Sequence, residues 1–371
     1  MVKSRTMIRE QKVHRTRKVM VGRVPMGGGS PVTVQSMTTV PTTDVEAVLE
    51  QIHDLAVGGA ELVRVAVPDG ASARALKEIV ERSPVPVISD IHFDPELAMT
   101  ALGAGTHKLR LNPGNIRDPK AVRAIAREAG RRGVPIRIGV NSGSVPGDLR
   151  EKYGGVNEDS MWAAAERHIR LLEASDFSDI VLSLKASDPM LTVRANRKAA
   201  ACSDYPLHLG VTEAGPGITG GVRSAVALSI LLNEGIGDTI RVSLSGSPVM
   251  EPAVGWEILS SLGIRSRFPR IVSCPTCARA RIDVGTVARK VQEALRGVEG
   301  SVTVAVMGCE VNGPGEAREA DIALIGTPSG MVLFIDGRMS REVDGTNLSG
   351  QLSGAVKEYI QRSMDRSGGT T

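Results

Sequence analysis

The sequence predicts a (β/α)8 TIM barrel followed by a small α+β domain. Eight β-rich runs alternate with helical segments between residues 32 and about 245. No GxGxxG follows the first run, as an open dinucleotide-binding sheet would require. After Arg270 the runs come closer together, and three of the four cysteines fall there.

The β runs are VTVQSM (32–37), LVRVAV (62–67), VPVISDI (85–91), HKLRLN (107–112), VPIRIGV (134–140), DIVLSL (179–184), LHLGVT (207–212) and TIRVSL (239–244). Between them lie stretches such as DVEAVLEQIHDLAVGGA and DPKAVRAIAREAGRRG, with apolar residues three and four apart and a glycine just past the end. That spacing makes one apolar helix face, and the glycine terminates it. PAVGWEILSSLG closes the series as the last barrel helix. The second domain reads as IVSC, a helix over 283–297, SVTVAVMGC, DIALIG, MVLFID and a closing helix over 349–363. The expected division is a basic N-terminal segment over 1–20, a barrel over 21–268, a second domain over 269–364 and a disordered tail over 365–371.

Composition narrows the function classes. At 42% hydrophobic residues, the 371-residue chain can bury a sizeable core. The net charge of +4, from 45 basic and 41 acidic side chains, points to no nucleic-acid partner. Aromatic side chains, on which single-stranded nucleic acid stacks, are few: four Phe, three Tyr and two Trp. The N-terminus is basic without an apolar run, so it is no secretory signal. No stretch approaches the roughly 20 apolar residues of a membrane span. Four cysteines are too few for a disulfide scaffold and fit metal or redox chemistry in a reducing compartment. The expectation is a cytoplasmic protein.

Several strands are polar on one face. Lys108, Arg110 and Asn112 alternate with Leu109 and Leu111. Arg137 and Asn141 oppose Ile136, Ile138 and Val140; Arg241, Ser243 and Ser245 oppose Ile240, Val242 and Leu244. Strand side chains alternate between faces. The apolar face must pack on the helices, which turns the arginines toward the barrel interior or its mouth. Barrel interiors are normally branched aliphatics. Converging guanidinium groups repel and lose hydration unless an anion joins them, and a diphosphate matches them bidentately. Arg64 and Lys185 extend the set. Asp90, His92, Thr212 and Glu213 stand at strand ends, where barrel enzymes keep their chemistry. The competing reading is an internally ion-paired or solvated surface.

Cys274-Pro-Thr-Cys277 has the spacing of two thiolates on one metal, and Cys309 ends a β run. Zinc would need a fourth ligand, and no histidine follows residue 209. A redox dithiol would leave Cys309 unexplained. A 4Fe–4S cluster on three thiolates would leave one iron for an oxygen ligand. Asn312-Gly-Pro-Gly-Glu316 reads as a tight turn after Cys309, but spacing leaves Glu310, Glu316 and Glu319 open. Cys202 has no partner pattern and reads as a small packing residue.

The segments PVTVQSMT, ISDIHF, LHLGVTEAG, GIGDTIRVSLSG, SCPTC and VAVMGCEVNGPGEA resemble those of the 4-hydroxy-3-methylbut-2-en-1-yl diphosphate synthases, the bacterial iron–sulfur oxidoreductases of the methylerythritol phosphate route to isoprenoids. The resemblance runs from about residue 15 to about 340. It implies a homodimer, in which the iron–sulfur domain of one subunit caps the barrel mouth of the other. It implies one 4Fe–4S cluster per subunit, held by Cys274, Cys277, Cys309 and Glu316. Arg64, Arg110, Arg137, Asn141, Lys185, Arg241 and Ser243 would bind the substrate diphosphate, with Thr212 and Glu213 at the reacting hydroxyl. Reduced ferredoxin or flavodoxin would supply electrons. Ala278 stands where the family is expected to have glycine, with the ligand spacing intact. The alternative from the residues alone is a barrel lyase or transferase on a phosphorylated substrate with a zinc-stabilised second domain.

Overall fold

The computed structural model describes residues 14–91, 94–111, 118–311, 313–343 and 347–367. Two compact units divide the chain, Met1–Arg265 and Ser266–Thr371.

The first unit opens with a hairpin, β1 (Val19–Val21) against β2 (Val24–Met26). Eight parallel strands follow: β3 (Thr33–Met37), β4 (Leu62–Ala66), β5 (Val87–Ile91), β6 (Lys108–Leu111), β7 (Ile136–Asn141), β8 (Ile180–Lys185), β9 (His208–Leu209) and β10 (Thr239–Ile240). They form one sheet in the order β8-β7-β6-β5-β4-β3-β10-β9. A parallel bridge between Leu182 and Leu207 brings the two ends of that order together. The result is the predicted (β/α)8 barrel, with a helix after each strand.

Helix starts follow from local chemistry. Asp44, Asp69, Asp94, Asp118, Asn157 and Asp188 each accept a backbone N–H of the first helical turn. Such a cap contributes about 1 kcal/mol. Three of these carry proline next, Pro95, Pro119 and Pro189, whose fixed φ suits the first helical position.

The last two barrel strands are shorter than predicted. Beyond them the backbone bonds become irregular: the Thr212 N–H donates to Ala186 O and the Arg241 N–H to Leu209 O, but the next bonds come from outside the ladder. The Leu244 N–H, for example, donates to Glu251 Oε1 at 3.1 Å. The hairpin closes the barrel's opposite end: Val19, Val21 and Met26 pack on Leu62, Ile88 and Val181, all fully buried or nearly so.

The second unit has one sheet with strands in chain order: β11 (Arg270–Ser273), β12 (Thr303–Met307), β13 (Ile322–Thr327), β14 (Gly330–Ile335) and β15 (Arg338–Val343). The first three are parallel and the last two antiparallel. Alternation along β12 and β13 builds two layers. Val304, Val306, Ile322 and Leu324 meet the helices Val284–Ala294 and Leu348–Ser367. Ala305, Met307, Ala323 and Ile325 meet the short helix Gly313–Glu319.

Strand β15 has no counterpart among the predicted runs. Five of its six residues are exposed, so it lacks an apolar face to read; charged residues on an edge strand also deter pairing with other chains. The predicted Gly-Pro-Gly turn is instead the start of helix Gly313–Glu319. Proline is tolerated in a first helical turn. Gly313 is required by packing, since a Cβ there would stand 2.5 Å from Ile325 Cγ2. The closing helix runs to Ser367, into the segment read as a tail. The residues after it, and residues 1–13, lie outside the described residues. So do His92, Asn112 and Asn312.

Candidate active site

Inward-pointing positions on the barrel strands converge on one cavity. It is lined by Arg64, Arg110, Arg137, Gly139, Asn141, Ser183, Lys185, Thr212, Arg241 and Ser243. Strand pairing explains the grouping. Arg110 is registered with Arg137, Asp90 with Arg110, Met37 with Arg64, and Asn141 with Lys185. Registered neighbours project from the same face of a sheet, so the inward polar residues of successive strands, two each from β7 and β8, gather into a ring. The cavity holds about 60 Å³, well above the roughly 10–15 Å³ that a single water requires.

The ring is unbalanced in charge. Two buried carboxylates serve five cations. Asp90 meets Arg110 at 3.0 Å and Arg64 at 3.6 Å. Glu251 receives Arg241 through both its oxygens at 3.2 Å and also accepts the Ser36 hydroxyl at 2.8 Å. Arg64 also points its Nε and Nη2 at the Met37 sulfur, at 3.0 and 2.8 Å. Arg137 is 1% exposed, and among the described residues its Nε and Nη1 have no hydrogen-bond partner. Among the described residues, the hydrogen-bond partner of Lys185 is His208, Nζ to Nε2 at 3.2 Å.

Burial and mutual repulsion penalise the charged forms. Desolvation pushes Arg64 down to about 10, with Asp90 opposing and Arg241 and Arg110 adding to the shift. Desolvation likewise drives Arg137 and Lys185 well below their ordinary values, and neighbouring arginines push in the same direction. Lys108, one layer below Arg110, is fully buried against the Met26 sulfur at 3.6 Å and is lowered for the same reason. An array of this kind is costly unless a multiply charged anion completes it.

Glu213 lies beside the cavity-lining Thr212. It is exposed and adopts φ +52°, the left-handed region. Such strain in a non-glycine residue costs about 1–3 kcal/mol and clusters at functional sites.

In the second unit, Cys274 and Cys309 follow the ends of the adjacent parallel strands β11 and β12. The Cys274 N–H donates to Val306 O at 3.2 Å, and the Gly308 N–H points at Cys274 Sγ at 3.3 Å. Gly308 allows that approach, because a Cβ there would stand 2.9 Å from Val284 Cγ2 and 3.4 Å from the Cys274 sulfur. Between the first two cysteines Thr276 has φ +65°, an outlier for a β-branched residue. Glu316 sits in the first turn of Gly313–Glu319, whose Gly313 N–H donates to Cys309 O at 3.2 Å. All the cysteines are free thiols. Thiolates and a carboxylate are donor types that suit an iron–sulfur cluster, and Cys274 and Cys309 follow neighbouring strand ends. Among the described residues, no three His, Cys, Asp or Glu side chains converge to metal-binding distances. Cys202 is exposed at the end of helix Pro189–Cys202, not packed as the sequence reading expected. It is the last residue of that helix, where the chain turns out to solvent.

Family models account for both units. The GcpE TIM-barrel domain matches residues 16–256, and the GcpE protein C-terminal domain matches residues 270–358. The chain belongs to the GcpE family. Its relatives include proteins named 4-hydroxy-3-methylbut-2-en-1-yl diphosphate synthase (flavodoxin). The one from Thermodesulfovibrio yellowstonii is 48% identical over 94% of this chain and 99% of its own length. That of Natranaerobius thermophilus is 49% identical over 94% and 97%. That of Geobacter sulfurreducens is 49% identical over 93% and 98%.

Sequence reasoning on this GcpE chain missed Gly139, Ser183, Met37, His208 and Glu251. Gly139 carried a signal, since a glycine inside a strand marks close approach: a Cβ there would stand 3.0 Å from Arg110 Nε. Glu251 lies on helix Met250–Ser261, where no strand alternation could reveal it. Among the described residues, no helix is long and apolar enough to cross a membrane.

Proposed function

We propose that this chain catalyses the two-electron reductive ring opening and dehydration of 2-C-methyl-D-erythritol 2,4-cyclodiphosphate to (E)-4-hydroxy-3-methylbut-2-enyl diphosphate, a step in isoprenoid precursor biosynthesis. Membership of the GcpE family supports the reaction. The single structural observation that carries it is Arg137, buried in a cation-rich cavity with two nitrogens that have no partner among the described residues.

The chain's own residues divide the work. Arg64, Arg110, Arg137, Lys185 and Arg241 clamp the diphosphate, and Asn141 and Ser243 add neutral donors. Charge developing on the departing diphosphate oxygen meets guanidinium groups already fixed by Asp90 and Glu251, so little reorganisation is needed. Thr212 orients the reacting hydroxyl from the cavity wall, and Glu213 beside it hands over the proton that lets water leave. Cys274, Cys277, Cys309 and Glu316 would hold a 4Fe–4S cluster, one per subunit. When bound, that group supplies single electrons and Lewis acidity, with reduced flavodoxin or ferredoxin as the source. We place the enzyme in the cytoplasm as a homodimer.

Iron and acid-labile sulfide analysis of anaerobically purified protein tests this reading, together with turnover on reduced flavodoxin. About four iron and four sulfide per chain are expected. Cys309→Ser should lose the brown chromophore and turnover together, whereas Glu316→Ala should keep most iron while turnover collapses. One zinc without sulfide would overturn the proposal in favour of a barrel lyase or transferase with a zinc-stabilised second unit.

A further inference from the structure

Lys185 has an unusual companion. Its Nζ lies 3.2 Å from Nε2 of His208, an imidazole with no solvent exposure. His208, Gly210 and Thr212 occupy alternate positions of one segment, and Thr212 lines the cavity with Lys185. A Cβ on Gly210 would stand 2.7 Å from Lys185 Nζ, so the lysine lies across the space that glycine leaves open. We infer that His208 is the positioning residue for Lys185, fixing the ammonium at the wall of the anion cavity. This rests on the anion-binding role proposed for that cavity.

The surroundings explain why such a residue is needed. The charged groups facing Lys185 from neighbouring strands are Arg64, Arg110, Arg137 and Arg241, all of which repel it. The nearby carboxylates are engaged elsewhere: Asp90 with Arg64 and Arg110, Glu251 with Arg241. A lysine side chain retains up to about 2 kcal/mol of rotamer entropy when untethered, and repulsion would favour rotamers away from the ring. A carboxylate partner would hold it but neutralise it before an anion arrived. A neutral imidazole accepts the Nζ–H and leaves the positive charge uncancelled.

That acceptance requires the tautomer with the proton on Nδ1. Among the described residues, His208 Nδ1 has no hydrogen-bond partner, nor do the Oγ1 atoms of Thr239 and Thr33. Those three residues are registered side by side on β9, β10 and β3. Polar atoms grouped in this way offer a site where a buried water would bind, and a water accepting from Nδ1 would favour that tautomer. His208 stays neutral because burial and Lys185 both drive its pKa well below the ordinary value.

The test uses the full-length chain and inorganic diphosphate as probe, with calorimetric affinity measured across pH. His208→Leu keeps an apolar filling and removes the acceptor. Affinity is expected to fall about tenfold, the equivalent of 1.4 kcal/mol. The alkaline limit of binding should move to lower pH, because the ammonium loses a group that stabilises it. His208→Gln, which offers an amide oxygen, should restore most of both. A purely structural role would leave the alkaline limit in place, and unchanged affinity or an unmoved limit in His208→Leu overturns the inference. Nitrogen-15 histidine spectra of the wild type and Lys185→Met decide the matter even if His208 variants fold poorly. The Nε2 resonance is expected to move when the lysine is lost, and identical spectra exclude the pair. Failure of the wild type to bind diphosphate would sink the proposed function, while the spectra would still settle the pairing.

Discussion

At the scale of single residues, Arg137 joins stability to function. It is 1% exposed, two of its nitrogens have no partner among the described residues, and its charged form is disfavoured by burial and by Arg64 and Arg110. Replacing an uncompensated buried charge with an apolar side chain of similar length is neutral or stabilising by about 1–4 kcal/mol. Arg137→Met should therefore hold or raise the melting temperature while diphosphate affinity falls at least about a hundredfold. Calorimetry and thermal unfolding on one sample check both halves, and a melting temperature that falls with affinity would show the arginine to be structural. Arg137 was legible in the sequence because it interrupts the aliphatic alternation of Ile136 and Ile138. His208 was not, because a lone histidine beside leucines has no pattern that separates a lysine partner from an ordinary core residue. The cysteines were legible by spacing, yet spacing left Glu310, Glu316 and Glu319 equivalent until the family resemblance was added.

At the scale of elements, the barrel was readable because each strand and helix declares its own period. The strand ends were less readable, since tertiary partners decide where a ladder stops. Glu251 is the clearest case. From its helix it accepts Arg241, the Ser36 hydroxyl and the Leu244 N–H, and so fixes the chain beyond β10. Glu251→Ala would leave the half-buried Arg241 without its carboxylate, a loss that costs up to about 3–5 kcal/mol. Denaturant unfolding should show a lower midpoint at an unchanged slope. A midpoint within error of the wild type would mean that Arg241 finds another partner. Strand β15 escaped detection for the opposite reason: with only Val343 buried, it contributes backbone pairing but no apolar rhythm.

At the scale of the whole molecule, anion-binding and cysteine chemistry are written on separate stretches of chain. Every residue lining the cavity precedes Arg265, and the clustered cysteines follow it. A chain ending at Arg265 is therefore expected to fold and to bind inorganic diphosphate at an affinity within about tenfold of the full protein, while holding no iron. Circular dichroism and calorimetry would check this; a truncated chain that folds but ignores diphosphate would mean that the second unit completes the cavity. The N-terminal hairpin carries a further consequence. By stopping one end of the barrel with Val19, Val21 and Met26, it turns the interior into a cul-de-sac. Whatever enters must back out through the same doorway, so each product has to vacate before its successor can be admitted.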